Sequence, residues 1–162
     1  MKTFGAFLVM VLTGYGVMAN TVKGKVVSVV DGNTLEIIAE DNETYKVVLS
    51  GIDSPELDQE FGETAKEFLE KAIRDKAIQV QLQGRDRWGN YVGIVYTNKG
   101  VDVRKLLLSN GLAWVIEKDA TDEFKSLEQK AREQGAGLWQ HESPTPPWVY
   151  RRQQSMLQPK GV

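Results

Sequence analysis

The chain has 162 residues, 41% of them apolar, and a formal net charge of −2, which suits one domain with a real core and short extensions. It has no cysteine and a single histidine, His141, so disulfides, thiolate metal sites and multi-histidine metal sites are excluded. The acidic balance argues against a generic polyanion binder, which usually carries a basic excess.

The first segment reads as a targeting sequence. Lys2 precedes the apolar run Phe7-Leu8-Val9-Met10-Val11-Leu12, and Val17 and Ala19 are small residues at the −3 and −1 positions of a cleavage site. This is the pattern of a signal peptide over residues 1–19, and the run is short for a membrane span of about 20 residues. The expectation is cleavage before Asn20 and export to the periplasm or the extracellular space, with no membrane attachment afterwards. Cleavage removes Lys2 and no acid, leaving 19 basic against 22 acidic residues, a net charge of −3.

Five runs then read as strands, rich in Val and Ile with partial period-2 alternation: 22–30, 34–39, 44–50, 77–83 and 91–97. Asp31-Gly32 and Asp41-Asn42 stand where hairpin turns belong. Between the third and fourth strands, Phe61, Ala65, Phe68, Leu69, Ala72 and Ile73 form the apolar stripe of an amphipathic helix. A second helix is predicted over 101–110, with Val103, Leu106 and Leu107 inward and Gly111 as its stop. A third starts near Thr121 or Asp122, buries Phe124, Leu127 and Ala131, and stops at Gly135. The remainder, from Ser143-Pro144-Thr145-Pro146-Pro147-Trp148 onward, reads as a Pro-rich tail. The order βββ-α-ββ-α-α predicts an α+β protein on a five-stranded, partly open Greek-key barrel of the OB type. The domain is placed at 20–142, the tail at 143–162, and the chain is expected to be a monomer.

Read locally, the candidate motifs have plain structural explanations. Asp53-Ser54-Pro55-Glu56 suits an ordinary helix start, with a Ser or Asp cap, Pro at the first position and Glu in the first turn. Asp31-Gly32-Asn33 suits a simple turn. In the strand over 44–50, Tyr45, Val47 and Leu49 alternate inward, leaving Lys46, Val48 and Ser50 on the opposite face.

Three segments, in order, give the chain a wider meaning: Val29-Val30-Asp31-Gly32-Asn33-Thr34, Leu49-Ser50-Gly51-Ile52-Asp53-Ser54-Pro55-Glu56, and Asp86-Arg87-Trp88-Gly89-Asn90. With Gly111-Leu112-Ala113-Trp114, Gly137-Leu138-Trp139 and Pro146-Pro147-Trp148, they resemble the staphylococcal nuclease (thermonuclease) family from about residue 22 to 152. The resemblance implies hydrolysis of DNA or RNA phosphodiesters with one Ca²⁺ held by oxygen ligands. It also implies a glutamate general base and two arginines on the phosphate. On the family pattern Asp53 and the Ser54 carbonyl stand at metal-ligand positions, Asp31 at an outer acidic position and Glu56 at the general base.

Other positions depart from that pattern. Asn33 stands where a second metal-binding aspartate is expected, and Val48 and Asn90 stand at the two phosphate arginines. Glu117 and Asp119 replace two pocket tyrosines, while Trp88 keeps an aromatic at a third. Lys46, Arg85 and Arg87 are the cations that could stand in, Lys46 and Arg87 joining Trp88 as candidate substrate contacts. The loss of charge predicts Ca²⁺ binding that is weak or absent. It predicts a protein with nuclease activity lost or much weakened, kept to bind nucleic acid or a protein partner; the competing reading is an active Ca²⁺-dependent endonuclease. Trp148, Tyr150, Arg151 and Arg152 read either as a small stacking-and-charge patch or as a tail with Trp148 packed and the arginines in solvent.

Overall fold

A computed structural model describes residues 20–74 and 76–157; the signal-peptide segment lies outside them. The elements in chain order are β1 (Asn20–Val29), β2 (Thr34–Ala39), β3 (Thr44–Leu49), β4 (Ile52–Asp53), α1 (Gly62–Ile73), β5 (Ala77–Arg85), β6 (Tyr91–Thr97), α2 (Val103–Ser109), β7 (Trp114–Val115), α3 (Asp122–Glu133) and α4 (Pro147–Leu157). The five long strands close a barrel in the order β1-β2-β3-β6-β5, with β1 pairing back onto β5. Only the β3–β6 junction is parallel, bringing Val48 opposite Val92. The barrel is thus fully closed, so no barrel strand is left with an unpaired edge.

Alternation along the strands builds the core. Leu35, Ile37, Val47, Leu49, Ile78, Val80 and Val95 are fully buried inside, and the residues between them face outward, as period-2 geometry requires. Helix α1 adds Ala65, Leu69 and Ile73 to the same core. Helix α2 is capped by Asp102, whose carboxylate accepts from the Arg104 N–H, and α3 by the Thr121 hydroxyl, which accepts from the Phe124 N–H. Leu108 is fully buried on α2, where Leu106 is only half-buried.

Two expectations are corrected. Asp53-Ser54-Pro55-Glu56 does not begin a helix: Asp53 sits in β4 opposite Trp114, and α1 starts at Gly62 behind Phe61 in the left-handed region at φ 66°. The Pro-rich tail is not irregular throughout: from Pro147 it is the helix α4. Proline at a first helical position fits there, because its missing N–H would have had no intrahelical partner anyway.

Candidate functional site

Two glycines allow close packing on the loop after β4, Gly32 from the turn after β1 and Gly62 from the start of α1. A Cβ on Gly32 would lie 2.6 Å from the Ala65 Cβ and 2.9 Å from the Ser54 Cβ, and one on Gly62 would lie 1.8 Å from the Glu56 carbonyl oxygen. Only the bare backbone allows both approaches. The Ser54 hydroxyl locks the contact by donating to the Gly32 carbonyl at 3.0 Å. The Asp31 carboxylate accepts the Asn33 N–H at 2.7 Å, closing a turn that holds Asn33 in place.

Asp31, Asn33, Asp53, Ser54 and Glu56 all line one open cleft of about 1110 Å³. Val48 and Asn90 line it too, with Arg85, Arg87 and Trp88 from the β5–β6 turn and Asp119 from a 3₁₀ turn over Glu117–Asp119. Lys46 and Glu117 do not line this cleft. Lys46 is exposed on β3, opposite Glu36 of β2.

Helix α4 places Arg151 neither in a stacking patch nor free in solvent but in the site. Arg151, projecting from α4, lines the same cleft and lies on both carboxylates. Its Nη1 donates to Glu56 Oε1 at 2.6 Å and to Asp53 Oδ1 at 3.2 Å, and its Nη2 donates to Asp53 Oδ2 at 2.7 Å. The fork is bidentate on Asp53 and bridges to Glu56, the geometry guanidinium suits best. Asp53 is the buried member, its side chain 12% exposed against 49% for Arg151. Burial pushes the Asp53 carboxyl above its ordinary range; the Arg151 hydrogen bond and charge oppose that, and Asp31 adds to it. The hydrogen bonds and charge of Asp53 and Glu56 in turn hold Arg151 above the ordinary arginine range against its partial burial, Asp53 contributing most.

The cations named as replacements for missing arginines are committed elsewhere or lie on the rim. Arg85 donates to the Tyr91 hydroxyl and the Gly89 carbonyl and lies over the Tyr91 ring at 3.9 Å. Arg87 stacks on Trp88 at 4.0 Å, and Trp88 is 72% exposed. Arg104, which the sequence reading did not single out, also lines the cleft but is buried, doubly bonded to Asp102 and to Ser50. Asn90 has its own structural work: its side-chain and backbone N–H groups both donate to the Asp86 carboxylate, closing the β5–β6 turn.

The donors suit a hard cation, though sparsely. Asn33 Oδ1 is buried without a hydrogen-bond partner, an acceptor left open on the wall that carries Asp53. Asp53, Asn33 and Glu56 are the side chains that would hold a divalent ion, which would polarise a phosphate there. Among the described residues, however, no group of three or more His, Asp or Glu side chains gathers as a metal site. The signal for the helix that positions Arg151 was Pro147 followed by eleven residues without Gly or Pro, a helix start that the preceding prolines obscured.

The chain is similar to known proteins. Residues 46–141 match the family model described as "Staphylococcal nuclease homologue". An "Uncharacterized endonuclease" of Escherichia coli O157:H7 is 33% identical over 145 residues, 89% of this chain and 94% of that protein. The "Staphylococcal-like nuclease CAN1" of Arabidopsis thaliana is 37% identical over 109 residues, covering 67% of this chain and 33% of the plant protein. "Protein ParB" of Escherichia coli is 30% identical over 150 residues, 86% of this chain and 84% of that one.

Proposed function

This chain belongs to the staphylococcal nuclease family, and we propose that it binds single-stranded nucleic acid in the family's cleft while its phosphodiester hydrolysis is lost or much weakened. The observation that carries this reading is that Val48 and Asn90, which line the same cleft as Asp53 and Glu56, offer no guanidinium. Removing one preorganised charge-stabilising group costs about 10²–10³ in rate. Two such losses and a neutral Asn33 come to roughly 10⁵ if they act independently. Binding needs less. The exposed Trp88, stacked with Arg87 beside Arg85 on the cleft rim, is a platform for bases with cations for phosphates. The members of this family are generally Ca²⁺-dependent, and in this chain we expect weak Ca²⁺ binding. We further propose that the protein is exported with residues 1–19 removed.

The test uses the full chain with labelled single-stranded DNA and RNA at alkaline pH, with and without Ca²⁺. Wild type is expected to bind without appreciable cleavage. The triple change Asn33→Asp, Val48→Arg, Asn90→Arg should raise hydrolysis by orders of magnitude, and Glu56→Gln should remove the gain. Trp88→Ala should weaken strand binding by about 5- to 150-fold, the value of one stacked base. Robust wild-type cleavage overturns the proposal in favour of an active endonuclease, the reading that the bacterial relatives' names support. Absence of any strand affinity leaves the protein-partner reading.

A further inference from the structure

We propose that Arg151 is the resident counter-cation of the Asp53–Glu56 pair, and that helix α4 and a divalent cation are mutually exclusive occupants of it. The oxygens a metal would need are the ones Arg151 already uses: both Asp53 carboxylate oxygens and Glu56 Oε1 accept from its guanidinium within 2.6–3.2 Å. A Ca²⁺ ion contacts its ligand oxygens at about 2.3–2.6 Å. It would therefore compete for those oxygens with a fork of like charge packed against them, and the repulsion between the two cations disfavours joint occupancy. The Asn33 Oδ1 that remains without a partner is the acceptor the guanidinium does not reach, as a substitute ion leaves a site partly unsatisfied.

The helix that carries Arg151 is lightly held, which makes the exchange feasible. Of its residues only Pro147 is buried. Beyond the Arg151 ion pairs its anchors are few: the Trp148 ring edge-on to Trp114 at 6.4 Å and the Tyr150 hydroxyl donating to the Asp58 carbonyl at 3.4 Å. A segment with so little buried area opens locally at small cost, and a ligand that prefers the opened form shifts the equilibrium toward it. Arg151 thus lowers apparent metal affinity by occupancy, over and above the charge lost at Asn33.

The inference rests on Asp53 and Glu56 as the cation-holding pair but not on strand binding, so metal readouts alone decide it. Calorimetric Ca²⁺ titrations compare the full-length wild type with Arg151→Gln, and with Arg152→Gln as a neighbouring control. The Arg151 change should tighten Ca²⁺ binding by tenfold or more and the Arg152 change should leave it unaltered. In the wild type, millimolar Ca²⁺ should speed hydrogen exchange across residues 147–157 without speeding it in β2 or β3, a readout that needs no variant to fold. Equal affinity in wild type and Arg151→Gln, no Ca²⁺ binding by either, or unchanged exchange in α4 overturns the proposal.

Discussion

At the scale of single residues, the cleft separates charges that hold the protein together from charges that face solvent. Arg104 belongs to the first kind. Its side chain is 11% exposed and that of Asp102 6%; it reaches the Ser50 carbonyl and lies 4.8 Å over the Phe124 ring. Truncating one member of a buried ion pair leaves the other desolvated and unpaired, which costs about 3–5 kcal/mol. Arg104→Ala should therefore lower the urea-denaturation stability by that amount at pH 7. Asp102→Ala combined with Arg104→Met should cost less than Arg104→Ala alone, since no buried charge is stranded. Asn33, Val48 and Asn90 are the opposite case, uncharged where the family pattern calls for charge, and of these only Asn90 has acquired a visible structural role, in clamping Asp86.

Among the elements, the β5–β6 turn has the clearest pH signature. Slight burial works to raise the Asp86 carboxyl, but the Asn90 side chain and the Trp88, Asn90 and Gly89 N–H groups outweigh it, leaving the group below its ordinary value of 3.8. A depressed folded-state value means that the stabilisation is complete above the unfolded value and disappears as pH falls through the folded one. Comparing wild type with Asp86→Asn by thermal unfolding, the difference should be constant above about pH 5 and shrink below about pH 4. Asn90→Arg, part of the restoration test, removes one bond of this clamp, so its folding should be checked at the same turn. Helix α4 behaves differently from α1–α3: those bury apolar faces in the core, whereas α4 is attached chiefly through one guanidinium, two rings and a proline.

For the whole molecule, the described residues include an open cleft of about 1110 Å³ to which the segments around Asp31, Asp53 and Asp86 all contribute. No helix among the described residues is long and apolar enough to cross a membrane. The proposed export is tested on the whole chain: intact-mass measurement of a secreted or periplasmic form should give a protein starting at Asn20, and a soluble form retaining Lys2 would contradict it.

The strands, the three inner helices and the three motifs were legible in the sequence because each depends on neighbours a few positions away. Period-2 alternation at Leu35 and Ile37 or Val47 and Leu49, the stripe from Ala65 to Ile73, and the turn residues at Asp31-Gly32 and Gly111 are local consequences of backbone geometry meeting solvent on one side. The family motifs extended that legibility to which side chains meet in the cleft, including those without charge. What Asp53 and Glu56 touch was decided only by the tertiary structure. Arg151 lies 98 positions from Asp53 and 95 from Glu56, and no periodicity records a contact that long. It forms because β4 pairs with β7, Trp114 of β7 meets Trp148, and Trp148 aims the next turn of α4 into the cleft. The same separation explains the misread helix start: Asp53 and Ser54 have the residue types of a cap, but β-pairing with Trp114 and the Gly32 contact outweigh a local preference worth about 1 kcal/mol.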